Sequence, residues 1–186
     1  MVKCLKYVSL GLILMAPQEL IVNIFRKTNF LLFLMSLVGW AVMLSIMYGI
    51  FRITKRFIKR EGLEVTLSAI FYAMVGICIE WGIIGNSPCH NPGANQLGLL
   101  AGWVSVFMLP RVFLEDKFDG IRKLTKIWYF LFALSLLFPL LLIPGKGPVV
   151  GIIIYGYSVI PFLFLSVWYC YAKWRPIQSD LPNKNP

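Results

Sequence analysis

The chain has 186 residues, of which 59% are apolar and 14% charged, and its formal net charge is +10. A soluble domain carries about 45–50% apolar and about 25% charged residues, and a chain this short cannot hide so large an excess of apolar surface from water. These figures exclude an ordinary soluble domain and point to a single all-α membrane domain. The positive charge is not a nucleic-acid signature, because the Lys and Arg residues stand in short segments between apolar runs, with no DNA- or RNA-binding motif beside them.

A helix needs about 20 mostly apolar residues to cross the hydrocarbon core. Six runs meet that length: Leu5–Phe25, Phe30–Phe51, Leu63–Ile84, Leu97–Phe113, Ile127–Ile143 and Val149–Tyr171. The first has a basic start, Lys3 and Lys6, before the apolar stretch Tyr7–Met15, as a signal peptide would. However, no small-x-small cleavage site comes after it, and apolar character resumes beyond Glu19, so it reads as a retained span. Pro17 is the point at which it would break into a half-span.

Arg26–Asn29 is a tight connection to the second run, whose basic continuation Arg52–Gly62 reads as a helical extension ended by Gly62. The third run leads into residues 85–96, a stretch rich in Asn, Pro and Gly that holds the chain's one histidine, His90. Leu114–Lys126 reads as a short surface helix, and Pro144–Pro148 as a turn. Pro139 and Pro161 lie inside spans and are expected to kink them. Trp168, Tyr169, Tyr171 and Trp174 resemble an interfacial aromatic belt. The transmembrane domain is therefore placed at 1–175, with a polar, disordered tail at 176–186. No internal repeat is evident.

Orientation follows from the basic residues. With the N-terminus inside, 15 of the 18 Lys and Arg fall in inner segments, and Arg26, Lys27 and Lys146 fall outside. That bias puts both termini on the cytoplasmic side. The absence of a sorting signal favours a prokaryotic cytoplasmic membrane. The inner basic segments are expected to attract anionic lipid.

Cys4, Cys78, Cys89 and Cys170 form no CxxC and match no zinc spacing, so each is expected to be a small buried hydrophobe. No nucleophile elbow, HExxH, phosphate-binding loop or GxGxxG occurs, and no cofactor or metal is expected. What remains is charge inside the membrane, which is costly and marks functional sites by default. Glu19 and Glu80 are read as the intramembrane carboxylates, both in the outer half, and the other acidic residues are placed in or beside the inner loops. Ala69, Ala73, Gly76 and Glu80 share a helix face lined with small residues, which turns Glu80 toward other helices. Ala16, Glu19 and Asn23 share another face, as do Gly98, Gly102 and Ser105.

The candidate binding set is Glu80, Glu19, Trp81, Asn23, Asn86 and His90. Gln18, Asn91, Asn95 and Gln96 are expected to join it in one polar cluster, with Lys146 on the same side as a counter-charge. Three functional classes fit. The first is a transporter or membrane-embedded binding subunit for a small, partly apolar molecule, with Trp81 as a stacking surface. The second is an intramembrane enzyme acting on a lipid or isoprenoid, with Glu80 as general acid. The third is an accessory subunit of a larger membrane complex, bound to a protein partner.

Overall fold

The computed structural model describes residues 2–92, 96–115, 119–142 and 147–174. For residues 25–26, 97, 133, 135–142 and 147–158 it describes the backbone alone. The chain is all-α with six helices: α1 (Val2–Glu19), α2 (Phe30–Phe57), α3 (Glu61–Ile79), α4 (Gln96–Leu114), α5 (Asp119–Leu142) and α6 (Gly147–Trp174). Two π-helical segments extend them, Leu20–Arg26 after α1 and Glu80–Ile84 after α3.

Three helical stretches are long and apolar enough to cross a membrane: Val2–Ile24, Phe30–Phe57 and Glu61–Ile84. Gly98–Leu114 and Val159–Trp174 are shorter apolar helices among the described residues. Only 11% of the α2 window is buried, and Met35, Val38, Val42 and Ile46 stand open along it. An apolar helix bare on most of its surface needs an apolar surrounding, and these three helices have the length and composition to find it in a membrane.

The helix ends follow local chemistry. Asn29 caps α2 by accepting the Leu32 N–H at 2.9 Å. Lys55 and Arg56 sit in the last turn of α2, and Glu61 and Glu64 in the first turn of α3, each complementing the helix dipole. Gly85 ends the second π segment in the left-handed region, at φ 82°, which glycine enters at no steric cost.

α4 is the centre of the bundle, packed against α1, α3 and α6, and α1 also packs on α2. Ion pairs and hydrogen bonds gather the end of α2, the start of α3 and the ends of α4 and α6 at one end of the bundle, called here the basic end. The end of α1, the start of α2, the second π segment and the start of α4 meet at the far end. Between them lies an aromatic core. Tyr72 meets Phe107 with ring centroids 5.2 Å apart, and the Tyr7 hydroxyl donates to the Phe107 carbonyl at 2.7 Å.

Several expectations are corrected. Gly62 does not end α2, which stops at Phe57. It lies in the first turn of α3, where a Cβ would come within 2.7 Å of the Trp174 ring. Among the described residues of 114–126 there is no separate surface helix: α4 runs to Leu114 and α5 starts at Asp119, because the apolar pattern continues backward through Ile121, which is buried. Pro17 does not break α1. The helix continues to Glu19 and then widens into the π segment, after a proline that supplies no N–H to the helix ladder. None of the four cysteines is buried. Cys78 and Cys89 are exposed, Cys4 and Cys170 half-buried, and all four are free. Of the aromatic belt, Tyr169 instead faces the core and is fully buried, while Trp168, Tyr171 and Trp174 stay exposed. The 176–186 tail, Asn95 and Lys146 lie outside the described residues.

Candidate functional site

Glu80 opens the second π segment and is 6% exposed. Both of its carboxylate oxygens are engaged. The Trp103 indole Nε1 donates to Oε1 at 2.9 Å, and the Asn86 side-chain amide donates to Oε2 at 2.8 Å. Asn86 is placed by the glycine turn before it, since its own N–H returns to the Glu80 carbonyl at 2.8 Å. Trp103 lies against Gly76, one helical turn before Glu80. A Cβ at Gly76 would fall 2.2 Å from the Trp103 ring, so the glycine makes room for the indole.

Glu19 closes α1 and is half-buried. Trp40 Nε1 donates to its Oε1 at 2.8 Å, and the Asn23 amide donates to its Oε2 at 2.7 Å. The same Asn23 amide reaches Ser36 Oγ at 3.2 Å. The two indoles then meet, with the Trp40 and Trp103 ring centroids 4.8 Å apart. A continuous path therefore runs from Glu19 through Trp40 and Trp103 to Glu80. All four donors to the two carboxylates are neutral, and among the described residues neither carboxylate has a cationic partner.

The polar set assigned from sequence divides. Asn23 and Asn86 meet the carboxylates as described. Trp81 is 45% exposed and donates to Gln96 Oε1 at 2.9 Å, so the indole on Glu80 belongs to Trp103 instead. Gln96 ties back to the Asn86 carbonyl at 2.9 Å. His90 is exposed, with Nδ1 2.7 Å from Ser87 Oγ inside a local turn, and its hydrogen bonds go to Ser87 rather than to Glu80. Among the described residues no three His, Cys, Asp or Glu side chains converge. Gly102 and Ser105 line a cavity of about 10 Å³ with Leu14, Val106, Phe132 and Phe162, room for one water-sized group. Ser105 Oγ is buried there without a partner.

Sequence reasoning missed a second buried carboxylate, at the basic end. Glu64 is 3% exposed and Arg111 0%. Arg111 Nη2 meets Glu64 Oε2 at 2.6 Å, and Thr54 and Ser68 hydroxyls donate to Glu64 Oε1 at 3.1 and 2.9 Å. The guanidinium also lies over the Phe51 ring, 4.1 Å from its centroid. Beyond it, Lys173 bridges Glu61 and Glu115, and Lys55 meets Glu115 at 3.1 Å. Glu64 and Arg111 both fall inside the span limits drawn from sequence, so the signal was present. Each stands so near a span end that it reads as a charge in or beside an inner loop.

Comparison with known proteins gives no match to a protein-family model, to a curated protein or to a solved structure.

Proposed function

We propose that this protein is a small multi-pass transporter or membrane-embedded substrate-binding subunit, with its site at Glu80 and Glu19 and with Trp103, Trp40, Asn86 and Asn23 as the supporting groups. In this reading all six helices span, both termini are cytoplasmic, and the basic end faces the cytoplasm and anionic lipid, as the bias of Lys and Arg implies. The carboxylates then lie in the outer half of a prokaryotic cytoplasmic membrane. The observation that carries the proposal is the pair of carboxylates held only by neutral donors and joined through the indole pair. Structural carboxylates in membranes are usually paired with cations, and the same chain does this at Glu64. Carboxylates left without a cation keep charge available to a passing molecule, and the indoles give that molecule's apolar part a surface.

The test is uptake. A deletion strain complemented with wild type recovers import of at least one small, partly apolar solute from the medium, while complementation with Glu80→Gln does not. Equal import of every solute in the two strains rejects the proposal.

A second reading is favoured by one specific feature, the indole faces beside carboxyl groups. A carboxylic acid can protonate an alkene, and aromatic faces stabilise the cation that forms. That chemistry fits an enzyme acting on an isoprenoid or lipid, with Glu80 as the acid. It predicts an altered lipid or pigment extract in the deletion strain, and an unchanged extract removes it. An accessory role, with a protein partner, predicts a stable co-purifying subunit instead.

A further inference from the structure

The two carboxylate sites are the same construction made twice. In each, a Glu stands at the junction of an α-helix and a π-helical segment. In each, an Asn four or six residues later bonds one oxygen, and an indole 21 or 23 residues later bonds the other. Each indole follows a glycine on the next helix, in Leu37-Val38-Gly39-Trp40 and Leu100-Ala101-Gly102-Trp103. The hairpin of α1 and α2 and the hairpin of α3 and α4 thus carry matching units, and the units touch through their indoles.

Directly below this contact the core is closed. Phe107 sits one turn below Trp103 on α4, with its ring centroid 5.7 Å from that indole and 6.4 Å from Trp40. Leu44 sits one turn below Trp40 on α2 and is 0% exposed. The indole pair stands one turn beyond Leu44 toward the far end, and passage between the two rings requires that they part. Parting them breaks an indole-to-carboxylate hydrogen bond or moves the carboxylate with the indole. The π segments offer the second route, because a wide turn can return to α geometry and rotate the residues beyond it.

We infer that Trp40 and Trp103 form a gate across the far end of the bundle, each indole latched by its own carboxylate, and that the structure holds it closed. The inference rests on the transport reading for its purpose, but its geometry is tested without knowing any substrate.

The experiment places Leu44→Cys in a chain whose four native cysteines are replaced by Ser, and follows its reaction with a membrane-impermeant maleimide in right-side-out vesicles. Asn91→Cys, in the exposed far-end loop, serves as the reactive control. Leu44→Cys reacts slowly when the gate is intact. Trp40→Phe or Trp103→Phe keeps an aromatic ring and deletes the N–H, and each speeds the reaction about tenfold, the worth of one hydrogen bond to a charged group. The double Trp→Phe variant exceeds either alone. Phe is smaller than Trp, so Glu80→Met, which keeps the whole Trp103 indole and deletes its acceptor, separates latch from packing: the latch predicts acceleration there too, and acceleration in the Trp→Phe variants alone overturns it. Unchanged rates in all four variants, with the control reacting and the melting temperature preserved, overturn the gate. The carboxylate proposal would then still stand on the Glu80→Gln uptake result. Loss of uptake in Glu80→Gln is likewise independent of the labelling rates.

Discussion

At the basic end Glu64 meets the Arg111 guanidinium at 2.6 Å, whereas at the far end Glu19 and Glu80 meet only indole and amide N–H groups. All three carboxylates have both oxygens engaged, so hydrogen-bond satisfaction does not separate them. Charge does. The basic end cancels its buried charge and extends the cancellation outward through Lys173, Glu115, Glu61 and Lys55. The far end gives its two carboxyl groups no cation among the described residues. A buried pair that loses one partner strands the other, so the basic end is where removal should harm folding. The far end is where removal of charge should harm activity and spare the fold.

The largest expected effect breaks the basic end. Arg111→Met leaves Glu64 buried with only two hydroxyl donors, and it should destabilise the bundle by about 3–5 kcal/mol, read from unfolding in mild detergent. A loss below about 1 kcal/mol would mean that the pair does little for the fold. Next comes Gly76→Ala, which drives a methyl into the Trp103 ring. Overpacking of this kind costs about 1–3 kcal/mol, and it should change the near-ultraviolet circular dichroism of the indole pair. An unaltered spectrum and stability would show that Trp103 has free room.

A smaller effect appears on acidification. Burial pushes the Glu115 carboxyl up, but the Lys173 and Lys55 ammonium groups outweigh it and hold it below the usual carboxylate range. A folded-state pKa below the unfolded one gives stability that is full above the unfolded value, about 4.3, and is lost as pH falls through the folded value. The melting temperature should therefore fall below about pH 4, and Lys173→Met should flatten that fall. An equally steep decline in the variant would place the acid sensitivity elsewhere.

The six helices were legible because each apolar run is long and bounded by polar or basic residues, and the helices from Phe30 and Glu61 start within two residues of their predicted limits. Glu80 was legible because the small residues Ala69, Ala73 and Gly76 mark its face. Its partner Trp103 was not, since contact between α3 and α4 depends on the packing angle, which no periodicity encodes. The matching of the Glu19 and Glu80 units was hidden for a related reason: the Asn and Trp spacings differ by two residues between them. Arg111 was read as a loop charge because counting basic residues for topology treats each one as exposed. Its full burial appears only when α3 and α4 are brought together.

The smallest expected effect on the fold belongs to Glu80→Gln, and it bears most directly on the central claim. Gln keeps the size and an acceptor for the Trp103 indole, but its NH2 faces the Asn86 amide, which has to turn over to accept it, so stability should fall by about 1–2 kcal/mol. Native mass spectrometry of wild type and Glu80→Gln from mild detergent, with melting temperatures measured alongside, decides the matter. The account predicts two equally folded proteins, with a small-molecule adduct on the wild type that the variant has lost. Identical adducts on both, or a variant that unfolds as Arg111→Met is expected to, would contradict it and make Glu80 a structural residue.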